Sequence, residues 1–153
     1  MEKPTAKKQE DQDPFKVLKA KLKNFDELKD VYDITEDSTT VKAVLRKISE
    51  YLEGYIKVLI QILQPEEFHS LYECTVFDDK EKEQIFDAYK AFMILHREIL
   101  RSELGNNEKD MIATIQYAHT EIKNSKQVMI KIVEKMRDSW KKDLKKSTAR
   151  YFG

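Results

Sequence analysis

The sequence predicts an all-α fold: an up-and-down antiparallel helical bundle of three long helices plus short N-terminal helices. Three observations predict it. Apolar residues recur at alternating spacings of four and three along three long segments. Only three Gly and three Pro occur in 153 residues, well below the usual share of roughly 7 % and 5 %, so little interrupts a helix. The connections between the periodic segments are short, and short connections make neighbouring helices antiparallel.

Residues 1–13 (MEKPTAKKQEDQD) have no apolar periodicity and read as a disordered tail, because nothing in them offsets the entropy of ordering. Asp13 then stands as an N-cap with Pro14 at the first helical position. Phe15, Leu18, Leu22 and Phe25 form one stripe, and Asn24 with Glu27 suggests a second cap. The stretch therefore divides into helices 14–23 and 25–33. The polar connection 34–39 carries Glu36, Asp37 and Ser38, residue types suited to a helix N-terminus.

Helix 40–64 is the clearest. Val41, Leu45, Ile48, Leu52, Tyr55, Leu59 and Ile62 line one face, and Val44, Ile56 and Leu63 widen it beyond a two-stranded coiled-coil seam. Gly54 lies mid-helix on the opposite side, either for the close approach of another helix or as a tolerated substitution. Pro65 ends the helix and opens a short one through Glu73. Asp78 and Glu81 make a capping box for helix 79–104, whose face is Ile85, Tyr89, Phe92, His96 and Ile99, backed by Phe86, Met93 and Leu100. Gly105 sits where a left-handed C-terminal residue belongs. Asn107 caps the last helix, 107–146, and Met111, Ile115, Ala118, Ile122, Ser125, Met129, Ile132 and Met136 keep the same rhythm. Ile112, Val133 and Trp140 fall on the neighbouring row. One domain over 14–146 follows, with 147–153 as a flexible C-terminal tail.

Length adds an expectation. Helices 40–64 and 79–104 are each about 38 Å long and helix 107–146 about 60 Å, so the last helix overhangs by roughly a dozen residues or bends. Trp140 and Leu144 in the overhang need cover. The connector 65–77, with Phe68, Leu71, Tyr72, Val76 and Phe77, lies at that end, and a second protomer is the alternative cover.

Several function classes lose support. A single cysteine, Cys74, cannot form an internal disulfide, and the polar start lacks the apolar core of a signal or transit peptide. The longest oily stretch, 55–63, is broken by Lys57 and Gln61, so no membrane span is expected. A reducing cytoplasm is the expected location. Scarce glycine leaves no P-loop or dinucleotide fingerprint, and no serine nucleophile motif occurs, so neither catalysis nor a cofactor is expected.

A bundle di-metal site needs a Glu from each of two helices and Glu-x-x-His from each of the other two. Here Glu66-x-x-His69 stands alone, while Met93 and Gln116 precede His96 and His119 by three residues. No metal site is expected, and His69, Glu73 and Cys74 read as surface polar residues. His96 and His119 fall at comparable heights in the antiparallel pairing. They are either a buried, proton-sensitive pair or two partly buried, hydrogen-bonded histidines at the core edge, and the second is the expectation.

Charge is the most informative remaining feature. Lys+Arg and Asp+Glu number 28 each, a net of zero that argues against a general polyanion binder. The zero is a sum of opposites. Residues 65–89 hold eight acids against two bases, a net of −6, and residues 126–150 hold nine bases against three acids, a net of +6. The basic stretch carries Trp140, Tyr151 and Phe152, a mixture suited to nucleic acid, although Lys and Arg near a helix C-terminus also suit the macrodipole. Antiparallel packing sets the two segments side by side, where they neutralise each other within a chain or across a homodimer.

The sequence thus points to a non-enzymatic helical interaction protein, an adaptor or regulator that self-associates and binds a protein partner. The partner-binding residues are Trp140, Lys141, Lys142, Leu144, Lys145 and Lys146 on the last helix, with Phe68, Tyr72 and Glu73 on the acidic connector. The alternative is a nucleic-acid or ribonucleoprotein-associated factor that uses the basic C-terminal segment.

Overall fold

The computed structural model describes the backbone of residues 13–152 and the side chains of 13–142. The tail 1–12 lies outside the described residues, as do Gly153 and the side chains of Leu144, Lys145 and Lys146. Six α-helices occur among the described residues: α1 Lys16–Lys21, α2 Phe25–Tyr32, α3 Val41–Leu63, α4 Phe68–Glu73, α5 Asp79–Gly105 and α6 Glu108–Phe152. A 3-10 turn, Cys74–Val76, follows α4, and no strand is present among the described residues. The three long helices α3, α5 and α6 pack against one another as an all-α bundle.

Local chemistry accounts for the helix starts. Thr40 has an extended backbone, and its hydroxyl accepts the Ala43 N–H at 3.0 Å, so the cap of α3 lies beyond the polar trio Glu36, Asp37 and Ser38. Asp78 and Glu81 close a reciprocal capping box at 2.7 and 3.2 Å. Asn107 Oδ1 accepts the Asp110 N–H at 3.0 Å at the start of α6.

Five boundaries differ from the sequence expectation. Asp13 caps a turn, accepting the Phe15 N–H on Oδ1 at 3.0 Å, so α1 begins only at Lys16. Asn24 precedes α2 in a left-handed conformation (φ 55°) and makes no side-chain cap bond. That backbone is not the extended one from which a cap side chain meets the first-turn amides. The short connector helix starts at Phe68, three residues beyond Pro65. Asn106, not Gly105, takes the left-handed position after α5 (φ 50°), which asparagine tolerates, and glycine stays helical. Helix α6 runs to Phe152 rather than 146, since neither Gly nor Pro interrupts it before Gly153.

The expected stripes form the core. Val44, Leu45, Ile48, Leu52 and Leu59 of α3 are fully buried, with Ile99 of α5 and Ile115 and Ala118 of α6. Each large aliphatic contributes roughly 1.5–3 kcal/mol by leaving water. Leu18, Leu22, Phe25, Leu28 and Tyr32 of the N-terminal helices join the same cluster. Arg46 near the start of α3 pairs with Glu103 near the end of α5 at 2.6 Å, as antiparallel neighbours require. The 106–107 turn makes α6 antiparallel to α5 and hence parallel to α3. Helices α1 and α2 lie against the first turns of α6, through Lys21–Glu108 at 2.7 Å and Gln116 Nε2 donating to the Lys23 carbonyl at 3.3 Å.

A Cβ at Gly54 would meet no atom within 4 Å. The close-approach reading therefore fails within this chain, and the glycine only loosens an exposed helical turn. Gly54→Ala should raise stability by about 0.5–1 kcal/mol in urea denaturation. A loss in place of that gain would mean that another chain covers the position.

Candidate interaction surface

Helices α5 and α6 share a turn but contain 27 and 45 residues. At 1.5 Å per residue they span about 40 and 67 Å, so all the excess, roughly 27 Å, projects at the C-terminal end of α6. Met129, Ile132 and Met136 carry the buried row into this region, and Ser139 is buried with its hydroxyl donating to the Met136 carbonyl at 2.6 Å.

The connector folds onto that row. Thr75 Oγ1 donates to the Tyr72 carbonyl at 2.7 Å and the Cys74 thiol to the Leu71 carbonyl at 3.2 Å, which ties α4 to the 3-10 turn. The turn directs Tyr72 at α6. Its hydroxyl donates to the Ser139 carbonyl at 3.1 Å, and its ring lies 4.3 Å from the Trp140 ring, tilted by 30°. Such aromatic pairs add about 0.5–1.5 kcal/mol beyond the area they bury. Phe77 is buried under Lys135 Nζ, 5.3 Å from the ring centre, and Lys135 also pairs with Glu81. The chain's own connector thus covers one side of Trp140.

The predicted residues divide accordingly. Trp140 and Tyr72 meet, yet Trp140 stays 37 % exposed. Phe68 is one turn before Tyr72 on α4 and is 81 % exposed, an unusual position for an aromatic ring. Glu73 is half-buried, while Lys141 and Lys142 are exposed. Lys141 Nζ lies 4.0 Å from Asp138 of its own helix and does not reach the connector. The two charged segments are joined by one ion pair among the described residues, Lys135–Glu81. Next to it, an open groove of about 340 Å³ between α5 and α6 is lined by Phe77, Ile85, Val128, Lys131 and Ile132.

The two histidines have different partners, and His96 is partly buried as expected, whereas His119 is buried in the core. Arg97 donates to His96 Nδ1 at 2.9 Å, so Nε2–H faces Glu53 at 3.2 Å. His119 Nδ1 is 2.8 Å from the Tyr32 hydroxyl, across 87 residues of sequence. Burial pushes the Tyr32 phenol up, and the neutral phenol and Nδ1 share one hydrogen bond. The opposite nitrogen of His119 points toward Glu27, 3.5 Å away, and Lys123 holds that carboxylate at 2.7 Å. This chain of polar groups fastens α2 to α6. Sequence reasoning missed it, because no local spacing links Tyr32 to His119. Among the described residues no group of three or more His, Cys, Asp or Glu is placed to hold a metal ion. No described helix is long and apolar enough to cross a membrane.

Two outcomes follow from this geometry. Tyr32→Phe removes the partner of buried His119 Nδ1 and should cost about 1–2 kcal/mol in urea denaturation. An unchanged midpoint would mean that the bond contributes nothing. The Lys123 ammonium holds the Glu27 carboxyl below its ordinary range, and the Ser102 hydroxyl, with Arg101, does the same for Asp110. A lowered folded-state value stabilises above the unfolded value and is lost as pH falls through the folded one. The thermal midpoint should therefore hold from pH 7 to about 4.5 and drop below it. Lys123→Met should lessen the drop, and a profile identical to that of the unaltered protein would contradict the assignment of Glu27.

No family model matches this chain, and no curated protein and no solved structure matches it.

Proposed function

We propose that the protein is a non-enzymatic helical interaction protein, an adaptor or regulator, which binds a protein partner where α4 meets the C-terminal part of α6. The supporting observation is Phe68, exposed beside a tyrosine–tryptophan pair that is only partly closed. Burying Phe68 and the rest of Trp140 would remove apolar surface from water at about 25 cal/mol per Å². Aromatic anchors near the centre of a contact usually dominate its energy, with charged residues around them setting orientation. Lys141 and Lys142 on one side, with Glu66, Glu67 and Glu73 on the other, supply those charges. A cytoplasmic location belongs to the same proposal and is supported by the lone thiol of Cys74.

A second reading, nucleic-acid binding, is favoured by exposed Lys141 and Lys142, which follow Trp140 directly on α6. It is the weaker one. Tyr72 already occupies one side of the indole on which a base would stack.

The double variant Phe68→Ala/Trp140→Ala should keep its helical circular dichroism and lose partner capture from a native lysate by tenfold or more. That loss corresponds to about 1.4 kcal/mol. Equal capture by the variant and the unaltered protein would refute the proposal. Binding to single-stranded RNA that falls steeply with salt, and disappears without 141–153, would favour the second reading instead.

A further inference from the structure

We infer that the occupant of this surface is a second copy of the same chain: the C-terminal segment of α6 from each protomer lies on the acidic connector of the other. This inference rests on reading the α4–α6 end as an interaction surface.

Unmatched charge on both segments supports it. Glu66, Glu67 and Glu73 have no Lys or Arg partner among the described residues, and Glu67 meets only His69, at 3.3 Å. Lys131 and Lys142 have no acidic partner among the described residues, and Lys141 reaches only Asp138. The dipole of α4 favours Glu66 and Glu67, which precede its first turn, but disfavours Glu73 at its C-terminal end, and dipole effects fade within one turn of a helix end. The α5 dipole accounts for Asp78, Asp79 and Glu81 at its own start. The end of α6 is Phe152, ten residues beyond Lys142.

The connector is also held short of the helix end. Lys135–Glu81 and Tyr72–Trp140 dock it beside residues 135–140, and α6 continues for twelve residues past Trp140, about 18 Å. That continuation, KKDLKKSTARYF, carries five cations and one acid. On the connector, Phe68 and Leu71 are exposed. A two-fold axis at this end brings each acidic connector to a basic helix end twice over, as a self-complementary interface requires. Alignment of the two basic stretches with each other would set like charges together, so the exchange of ends is the favoured geometry. One chain supplies both complementary surfaces, an acidic connector and a basic helix end, which selects a twin over a partner of a single charge sign.

Sedimentation velocity on the full chain tests this with two surface variants. One carries Glu66→Lys, Glu67→Lys and Glu73→Lys, and the other carries Lys141→Glu, Lys142→Glu, Lys145→Glu and Lys146→Glu. At low salt the unaltered chain should sediment as a dimer, with a dissociation constant that rises about tenfold or more once salt shortens the screening length. Each variant alone should be monomeric, and their equimolar mixture should recover the dimer because each connector again meets an opposite charge. Recovery also proves that the variants fold. An unaltered chain that is monomeric, variants that dimerise alone, or a mixture that stays monomeric would each overturn the inference. A monomeric chain whose partner capture still depends on Trp140 and Phe68 would remove the twin and leave the interaction surface standing.

Discussion

Burial of one apolar row along α6, from Met111 to Met136, is the interaction on which every other element depends. Helix α5 returns against this row and α3 lies parallel to it. The two N-terminal helices dock near its start and the connector near its end. Glu81 in the first turn of α5 meets Lys135, so α5 spans this row almost to its last residue. Helices α3 and α5 also pack directly against each other, and α3 contributes most of the fully buried side chains.

The two ends of that helix are attached by different physics. At its start, exposed ion pairs such as Lys21–Glu108 add little individually, about 0–1 kcal/mol. The buried bond between Tyr32 and His119 matters more, since separating it leaves a desolvated nitrogen. At its end, contacts among the described residues include an aromatic pair, a hydroxyl–carbonyl bond, an ion pair and the buried Phe77 ring under Lys135. Regions with few buried contacts open at lower free energy than the core, and binding surfaces are drawn from them. The start of α6 is therefore locked, whereas its end is suited to exchanging contacts.

Charge follows the same division. The total of zero hides an acidic connector and a basic helix that approach closely yet share a single ion pair among the described residues. Helix dipoles stabilise the carboxylates that open α5, where Asp78 also caps. They leave Glu73, at the C-terminal end of α4, without a Lys or Arg partner among the described residues. Phe68 stands open at the same end.

The number and type of the long helices were legible in the residue spacing, since a four-three rhythm decides which face leaves water. The capping box at Asp78, the cap at Asn107 and the excess length of the last helix were equally local, as they depend on neighbours in sequence. The position of the connector beside Trp140 followed from length and antiparallel order alone. Tertiary structure decided the rest. It joined Tyr32 to His119 and gave His96 to Glu53, left Gly54 in open space, and covered Trp140 with Tyr72 while exposing Phe68. The reason is geometric: periodicity sets which face of a helix is apolar, but the pairing of side chains depends on the rotation and offset between helices. Those are set only when the core packs.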